Sequence, residues 1–216
     1  MKTPEIDCYN AISMASRCQT TYHLPGLYGL DSLRRLQPAT VDAMIILGSG
    51  ASVYDALPWQ SPLNRWVHAR CLAGVPTLGL CYGHQLLAHI FGGKIDLLWD
   101  DQKAKGTRSV SIDGGPLLSQ ARADHLVVSH REGVIQLPTD FHVFGHSAQV
   151  QVDAMKHIRL PIWGFQPHIE ATPAFLANNQ IHADAEHAAA AYGFGACLMD
   201  AFYRQIRNSW RQSSTA

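Results

Sequence analysis

The chain has little charge, and the charge that it has is balanced. Lys and Arg together number 17 among 216 residues, and so do Asp and Glu, which leaves a formal net charge of zero at neutral pH. A protein that binds nucleic acid or an anionic membrane over a broad surface needs an excess of basic side chains. The balance therefore argues against nucleic acid and membrane as partners.

Long apolar runs and targeting signals are also missing. No run approaches the roughly 20 apolar residues of a membrane-spanning helix, and the opening MKTPEIDCYN lacks the apolar core of a signal peptide. No two cysteines form a C-x-x-C pair, which is typical of free thiols in a reducing compartment. We therefore expect a cytoplasmic protein. The cysteines are Cys8, Cys18, Cys71, Cys81 and Cys197.

Short apolar runs alternate with helical patterns in the first half of the chain. AMIILG (43–48) and VPTLGL (75–80) predict buried strands. Helical spacing follows each of them, in SPLNRWVHARCLAG (61–74, with Gly74 as C-cap) and in HQLLAHIFGG (84–93). This order predicts a parallel sheet covered by helices on both faces.

The second half changes character and predicts a mixed sheet. Its helical pattern GFGACLMDAFYRQI (193–206) places apolar residues on one face. Its short strand candidates, with turns between them, are TRSVSI, HLVVSH, FHVFGH, VQVDAM and LPIWGFQ.

The N-terminal segment fits this scheme less well. IDCYNAISMASRC (6–18) predicts a helix with Asp7 as N-cap, and QTTYHL (19–24) predicts a strand. Residues 1–6 are too short and too polar for the strand with which such sheets usually begin. We expect one α/β domain over residues 1–216, with an open, mostly parallel or mixed sheet whose first strand is missing or displaced.

Cys81 stands in the sequence Gly79-Leu-Cys-Tyr-Gly83, after a strand candidate and before a helical pattern. This is the nucleophile-elbow pattern with cysteine in the serine position. Small residues two before and two after allow a sharp turn, and the start of the helix favours a thiolate. A lone G-x-C-x-G is equally compatible with a cysteine that only packs beside a tight turn.

A candidate base lies in WGFQPHIEAT, where His168 precedes Glu170 by two positions. On an extended segment these residues face the same side, so the carboxylate can orient the imidazole. One histidine among twelve is more often a surface or core residue. His182 and His187 of HADAEH are five apart and do not share a helix face, which argues against a metal site.

The two motifs together resemble those of the class I, triad-type glutamine amidotransferases, which read G-x-C-x-G-x-Q and, later, Q-x-H-x-E. DAMIILGSGASVYDALPW (42–59) resembles the family's loop after an early strand, and VVSHREGVIQLPTDFHVFGHS (127–147) resembles its S-H-x-x-x-V segment. The similarity covers about residues 41–172 and is closest to the glutaminase portion of GMP synthetase-like proteins. It implies a flavodoxin-like sheet.

The resemblance implies a catalytic role for three residues. Cys81 would be the nucleophile, His168 the general base and acid, and Glu170 the orienting carboxylate. The thiolate would attack the side-chain amide of glutamine, ammonia would leave, and water would hydrolyse the γ-glutamyl thioester. These steps need no metal and no organic cofactor.

The resemblance also implies substrate contacts. The N–H of Tyr82 and the backbone of the loop after the first strand would form the oxyanion hole, and Gln85 would contact the amino-acid end of the substrate. The loop residues are Gly48, Ser49, Gly50 and Ala51. The residues implied to line the substrate's amino and carboxylate groups are His130, Arg131 and Glu132.

Three departures from the family pattern stand out. Ser49 replaces the usual second glycine of the early loop, and Gly50 replaces its proline. The common Q-F-H-P-E becomes Q-P-H-I-E, which moves the proline to the position before the histidine. The family's first strand has no good counterpart, so we expect a chain shortened at its start or compensated by another element.

The resemblance implies that the protein acts as a glutamine amidotransferase. The sequence contains no P-loop, so we expect a separate synthetase subunit to receive the ammonia. Two alternatives stay open: a hydrolase of γ-glutamyl peptides or conjugates, and an inactive regulatory subunit that keeps the fold. The intact Cys81, His168 and Glu170 argue against the regulatory subunit, whereas residue types alone do not separate the two enzymes.

Overall fold

The computed structural model describes residues 6–37, 40–115 and 117–213. The α-helices in these ranges are α1 (Ile6–Ser16), α2 (Pro25–Tyr28), α3 (Asp31–Arg34), α4 (Gln60–Leu72), α5 (Tyr82–Ile90), α6 (Pro173–Asn178) and α7 (Ala185–Ser213). The strands are β1 (Met44–Ile46), β2 (Thr77–Leu80), β3 (Lys94–Leu97), β4 (Ala104–Ile112), β5 (Arg122–His130), β6 (Glu132–Gln136), β7 (Phe141–His146), β8 (Ala154–His157) and β9 (Ile162–Phe165).

These elements belong to two compact units, each built from more than one segment. The larger unit contains residues 23–103 and 130–166. The smaller unit contains residues 6–22, 104–129 and 167–213.

The larger unit is organised around a mixed sheet. Its strands lie in the order β1-β2-β9-β8-β7. β1, β2 and β9 are parallel, whereas β8 is antiparallel to both β9 and β7. β3 and β6 form a separate antiparallel pair. The predicted α/β class with a mixed sheet is confirmed.

The core of the larger unit forms where the sequence pattern predicts it. All four residues of β2 are buried, as expected of a strand covered on both faces. On α4, Leu63, Val67 and Cys71 recur at helical spacing and are buried together. Gly74 follows the helix with φ +82°, a conformation that glycine adopts without strain, and therefore ends it.

The smaller unit packs helices beside β4 and β5, which are neighbouring strands. Phe194, Leu198 and Phe202 lie four positions apart on α7 and are buried. A Cβ at position 195 would lie 2.4 Å from the carbonyl oxygen of Ile169. The glycine therefore lets α7 approach the backbone of the segment that carries His168 and Glu170.

Three local predictions are wrong. Residues 19–24 form no strand, because Tyr22 stacks on Tyr9 of α1 at 4.9 Å and the Tyr9 hydroxyl donates to the carbonyl of Thr20. VQVDAM is strand only from Ala154 onwards, since the preceding residues turn back through a hydrogen bond from the Ser147 N–H to the carbonyl of Val150. α1 already begins at Ile6, which places Asp7 inside its first turn and not at the N-cap.

Two strands, β3 and β6, were not predicted. Their sequences, KIDL and EGVIQ, are short and partly exposed, so alternation gives little signal. The possible first strand at residues 1–6 lies outside the described residues except for Ile6, which is helical. None of the helices described combines the length and the apolar composition that crossing a bilayer requires.

Candidate active site

Cys81 occupies the sharp turn between β2 and α5. Its backbone has φ +51° and ψ −101°, in the left-handed half of conformational space that residues other than glycine rarely adopt. Such strain persists only where the surrounding structure enforces it, and it is concentrated at functional sites. The cysteine side chain is thereby placed at the N-terminal end of α5.

Two glycines make this turn possible. A Cβ at Gly79 would lie 2.4 Å from the carbonyl oxygen of Gly83, and a Cβ at Gly83 would lie 2.2 Å from the carbonyl oxygen of Ile46. Both distances are far below van der Waals contact. The spacing of small residues around Cys81 is therefore a packing requirement of the turn.

Backbone hydrogen bonds hold the turn in place. The N–H of Cys81 donates to the carbonyl of Phe165 at the end of β9, at 2.8 Å. The carbonyl of Cys81 accepts the N–H of Gln85 at 3.1 Å and so begins the helical ladder. Tyr82 is the first residue of α5, a position whose N–H has no acceptor within the helix.

The loop after β1 has its own internal bond. The N–H of Ala51 donates to the hydroxyl of Ser49 at 3.2 Å. The Ser49 side chain, which replaces a glycine of the family pattern, thus closes a local turn and engages one of the four backbone donors predicted for the oxyanion hole. The N–H groups of Gly48, Ser49 and Gly50 are the remaining candidates.

Gln85 is almost fully buried and connects three parts of the larger unit. Its Nε2 donates to the carbonyl of Glu132 at 2.8 Å and to Oε1 of Gln166 at 3.2 Å. The two amide hydrogens are thereby used within the protein. The oxygen of the amide is the part of Gln85 that can still accept a hydrogen bond from a ligand.

The segment His130–Glu132 is positioned by the same carbonyl. Nδ1 of His130 lies 2.9 Å from the carbonyl oxygen of Glu132, and the imidazole packs against Trp99 at 5.3 Å between ring centroids. The side chain of Arg131 forms an exposed ion pair with Asp101 at 3.0 Å. The guanidinium is therefore engaged at the surface.

His168 and Glu170 form the contact that their spacing predicts. Nδ1 of His168 lies 2.9 Å from Oε1 of Glu170, and the two side chains are 5% and 3% exposed. The N–H of His168 donates to the carbonyl of Val127 on β5, and its ring packs against Phe175 at 4.5 Å. The imidazole is thus held by both its backbone and its neighbours.

The predicted site residues are divided between the two units. Cys81, Tyr82, Gln85 and the segments 48–51 and 130–132 belong to the larger unit. His168 and Glu170 belong to the smaller unit.

Two buried side chains close to these residues were not singled out by sequence reasoning. Gln166, the partner of Gln85, is fully buried. His84, in the first turn of α5, is also fully buried, and its Nδ1 lies 2.7 Å from the position of a Cβ at Gly164. Burial lowers the pKa of His84 to about 4, against the opposing effect of the neighbouring backbone of Gly164 and Val152. His84 is therefore neutral at physiological pH.

The histidine-rich segment HADAEH does not assemble ligands. His187 stacks on His125 with ring centroids 3.8 Å apart, an arrangement that does not converge ring nitrogens on a common point. Within the described ranges, no three His, Cys, Asp or Glu side chains are grouped so that they could hold a metal ion.

The family model for glutamine amidotransferase class-I matches residues 26–183. A glutamine-hydrolyzing GMP synthase subunit of Methanopyrus kandleri is 39% identical over 99 residues, which cover 44% of this chain and 52% of that protein. The protein of the same name from Pyrococcus abyssi is 36% identical over 160 residues, covering 68% and 74% of the two chains. The matched segment thus spans about half to three quarters of the length of these relatives.

The fold is shared with a solved structure. The crystal structure of a glutamine amidotransferase from Methylobacillus flagellatus superposes with a TM-score of 0.75 over 92% of this chain and 88% of that chain. Sequence identity in this comparison is 16%, so it bears on the fold alone.

Proposed function

We propose, since this chain belongs to the class-I glutamine amidotransferase family, that it hydrolyses the side-chain amide of glutamine and supplies the ammonia to a separate synthetase subunit. The observation that carries this proposal is the strained backbone of Cys81 at the start of α5. A cysteine that only fills space gains nothing from a positive φ. A nucleophile gains a defined placement of its sulfur at the start of a helix and a nearby backbone donor.

In the proposed reaction, the thiolate of Cys81 attacks the amide carbon of glutamine. A sulfur–carbon bond forms, and the carbonyl oxygen becomes an oxyanion that accepts hydrogen bonds from the N–H of Tyr82 and from the loop 48–51. One such donor is worth about 3 kcal/mol in the barrier. The carbon–nitrogen bond then breaks, which leaves a γ-glutamyl thioester on Cys81.

The proposed acid and base is His168. Its imidazole takes the thiol proton and gives it to the leaving nitrogen, which departs as ammonia. The imidazole next takes a proton from the water that attacks the thioester carbon, the carbon–sulfur bond breaks, and the proton returns to the Cys81 sulfur as glutamate leaves. The 2.9 Å contact with Glu170 supports this role, because the carboxylate fixes the ring and stabilises the imidazolium. Position along the chain also supports it: His168 follows Phe165, the acceptor of the Cys81 N–H, by three residues.

We assign recognition of the amino-acid end of glutamine to Gln85 and the segment His130–Glu132. The support is that Gln85 and His130 both contact the carbonyl of Glu132, so one carbonyl positions two polar side chains. The oxygen of the Gln85 amide suits an ammonium group, which carries only donors.

The separate synthetase is the proposed partner because the relatives from Methanopyrus and Pyrococcus are named as one subunit of a glutamine-hydrolyzing GMP synthase. A cytoplasmic setting is proposed with it. The described cysteines are all free thiols, which suits a reducing compartment.

Release of glutamate by the purified chain tests the proposal. Glutamine and a γ-glutamyl dipeptide are supplied separately, each with and without cell extract to provide a synthetase. Hydrolysis of glutamine, faster in extract, is the expected result. Hydrolysis of the dipeptide alone would identify a γ-glutamyl hydrolase instead, and a folded chain that hydrolyses neither compound in either condition would identify a regulatory subunit.

A further inference from the structure

Gln60 is a polar residue that is almost fully buried, with 3% of its surface exposed. The proposed reaction assigns it no role. It is the first residue of α4. A glutamine at the start of a helix normally reaches water, because burying an amide costs free energy unless each polar group finds a partner. In this protein both polar atoms of the Gln60 amide have hydrogen-bond partners.

The Gln60 amide is bound at both ends to the segment that follows the loop 48–51. Its Oε1 accepts the N–H of Leu57 at 2.7 Å, and its Nε2 donates to the carbonyl of Ser52 at 2.6 Å. Ser52 is itself held in a turn, since its N–H donates to the carboxylate of Asp55 at 2.9 Å. Gln60 therefore fixes the path of the chain immediately after the loop.

The third hydrogen bond of the amide leads to the nucleophile. Nε2 of Gln60 also donates to the hydroxyl oxygen of Tyr82 at 3.2 Å, and the neighbouring Trp59 packs against the Tyr82 ring at 6.0 Å between centroids. Tyr82 directly follows Cys81. A glutamine that only stabilised the loop would not need this contact.

We propose that Gln60 is a positioning residue that couples the two sides of the oxyanion hole, the N–H of Tyr82 and the loop 48–51. The inference rests on the proposed function, since it assigns a role within that site. Oxyanion donors stabilise a transition state only when they are placed within hydrogen-bonding distance of the developing charge. A misplacement of about 1 Å can reduce the rate by about 100-fold.

Gln60→Met tests the coupling, because methionine has a similar length and forms none of the three bonds. We expect kcat to fall about 30-fold, less than the roughly 10²- to 10³-fold cost of losing an oxyanion donor, because the donors are displaced and not removed. KM should stay within about two-fold because substrate binding is not altered. The rates are normalised to the fraction of Cys81 that a thiol reagent titrates. The pH profile of kcat/KM, which reports the thiol and the imidazole, should not move.

Tyr82→Phe and a double variant separate coupling from loop stability. Tyr82→Phe removes only the hydroxyl contact, and we expect it to lower kcat several-fold. Combined with Gln60→Met, it should add nothing further, because both changes break the same connection. Asn64→Leu, one turn farther along α4, is the matched control and should leave kcat unchanged.

Hydrogen exchange measured by mass spectrometry supplies a readout that does not need turnover. Gln60→Met should accelerate exchange in peptides that cover residues 49–57 and 82, and Asn64→Leu should not. If the wild-type chain hydrolyses no glutamine with or without cell extract, the proposed function is refuted. The hydrogen-exchange measurement then decides by itself whether Gln60 couples Tyr82 to the loop 48–51. Unchanged kcat in folded Gln60→Met, additive losses in the double variant, or unchanged exchange would each overturn the inference. Should Gln60→Met not fold, unchanged kcat in Tyr82→Phe overturns it.

Discussion

Two regions of the larger unit each bury a cysteine, and they bury it in opposite ways. Cys71 lies one residue before the end of α4, fully buried, with its sulfur 3.7 Å from the hydroxyl of Thr77. Cys81 lies immediately before the start of α5 and is 6% exposed. Burial alone does not distinguish the two residues. What distinguishes them is the end of the helix at which each one sits.

The helix ends differ in the charge that they favour. The last carbonyl groups of a helix disfavour a negative charge, whereas the first N–H groups favour it. Burial raises the pKa of the Cys71 thiol to about 11, and its side-chain hydrogen bond with Thr77 opposes this only in part. Cys71 is therefore a packing residue that stays protonated. The lesson is that the backbone around a cysteine indicates its role better than its depth does.

Exchange of each cysteine for alanine tests this contrast and has the largest expected effect. Cys81→Ala should reduce glutamate release by at least about 10⁴-fold, since no other group can form the thioester. Cys71→Ala should retain kcat and lose about 1 kcal/mol of unfolding free energy from the small cavity. Enzyme assays and urea titrations of both variants measure these effects. Turnover by Cys81→Ala would contradict the assigned nucleophile.

A nucleophile needs a base, and the second prediction concerns the residues assigned to that role. His168→Ala should lower kcat by about 10³-fold or more, because the proton acceptor is lost. Glu170→Gln should cost less, because the imidazole remains while its orientation weakens. Steady-state kinetics of the two variants, at equal folded fractions by circular dichroism, provide the measurement. A larger loss in Glu170→Gln would reverse the assigned roles.

The turn around Cys81 can be compared with an ordinary helix position through glycine substitutions. Gly83→Ala should destabilise the protein by about 3 kcal/mol, because its Cβ would lie 2.2 Å from the backbone oxygen of Ile46. Gly193→Ala in α7 meets nothing within 4 Å and should stabilise by about 0.5 kcal/mol. Urea titrations of both variants measure these changes in the free energy of unfolding. Equal stabilities would show that the turn can relax.

Acid should also lower the stability of the protein, through His84 of α5. Its folded pKa of about 4 lies below the ordinary value of 6.5, so the unfolded chain takes up a proton first as the pH falls. The stabilisation is present above pH 6.5 and is lost between pH 6.5 and pH 4, by up to about 3 kcal/mol. Unfolding free energies at pH 7 and pH 4.5 should therefore differ less in His84→Gln than in the wild type. Parallel pH dependence in the two proteins would contradict this assignment.

Local spacing was enough to predict the turn at Cys81 and the contact between His168 and Glu170. Glycines two positions from the cysteine and an i, i+2 pair on extended backbone act over short range, so their consequences can be inferred without the fold. Long-range partners behave differently. The bond from Gln60 to Tyr82 spans 22 positions and that from Gln85 to Gln166 spans 81, and no periodicity signals either of them.

The strand wrongly predicted at residues 19–24 is also explained by a partner that is distant in the sequence. Thr and Tyr favour strands because they suit a half-buried surface, and the surface can equally be a helix. Here Tyr22 finds it on Tyr9 of α1. β3 and β6 were missed for the converse reason, since each becomes a strand only through pairing with the other.

The close approach of Gly83 to the carbonyl of Ile46 has a practical consequence for engineering. The end of β1 contacts the start of α5 at Ile46, which precedes the loop 48–51 in the sequence. This contact therefore does not involve the residues of the loop. A loop of another length or sequence could be grafted between Leu47 and Ser52 while the sulfur of Cys81 keeps its place. Such a graft would exchange the oxyanion donors proposed for residues 48–51 around a nucleophile that stays in place.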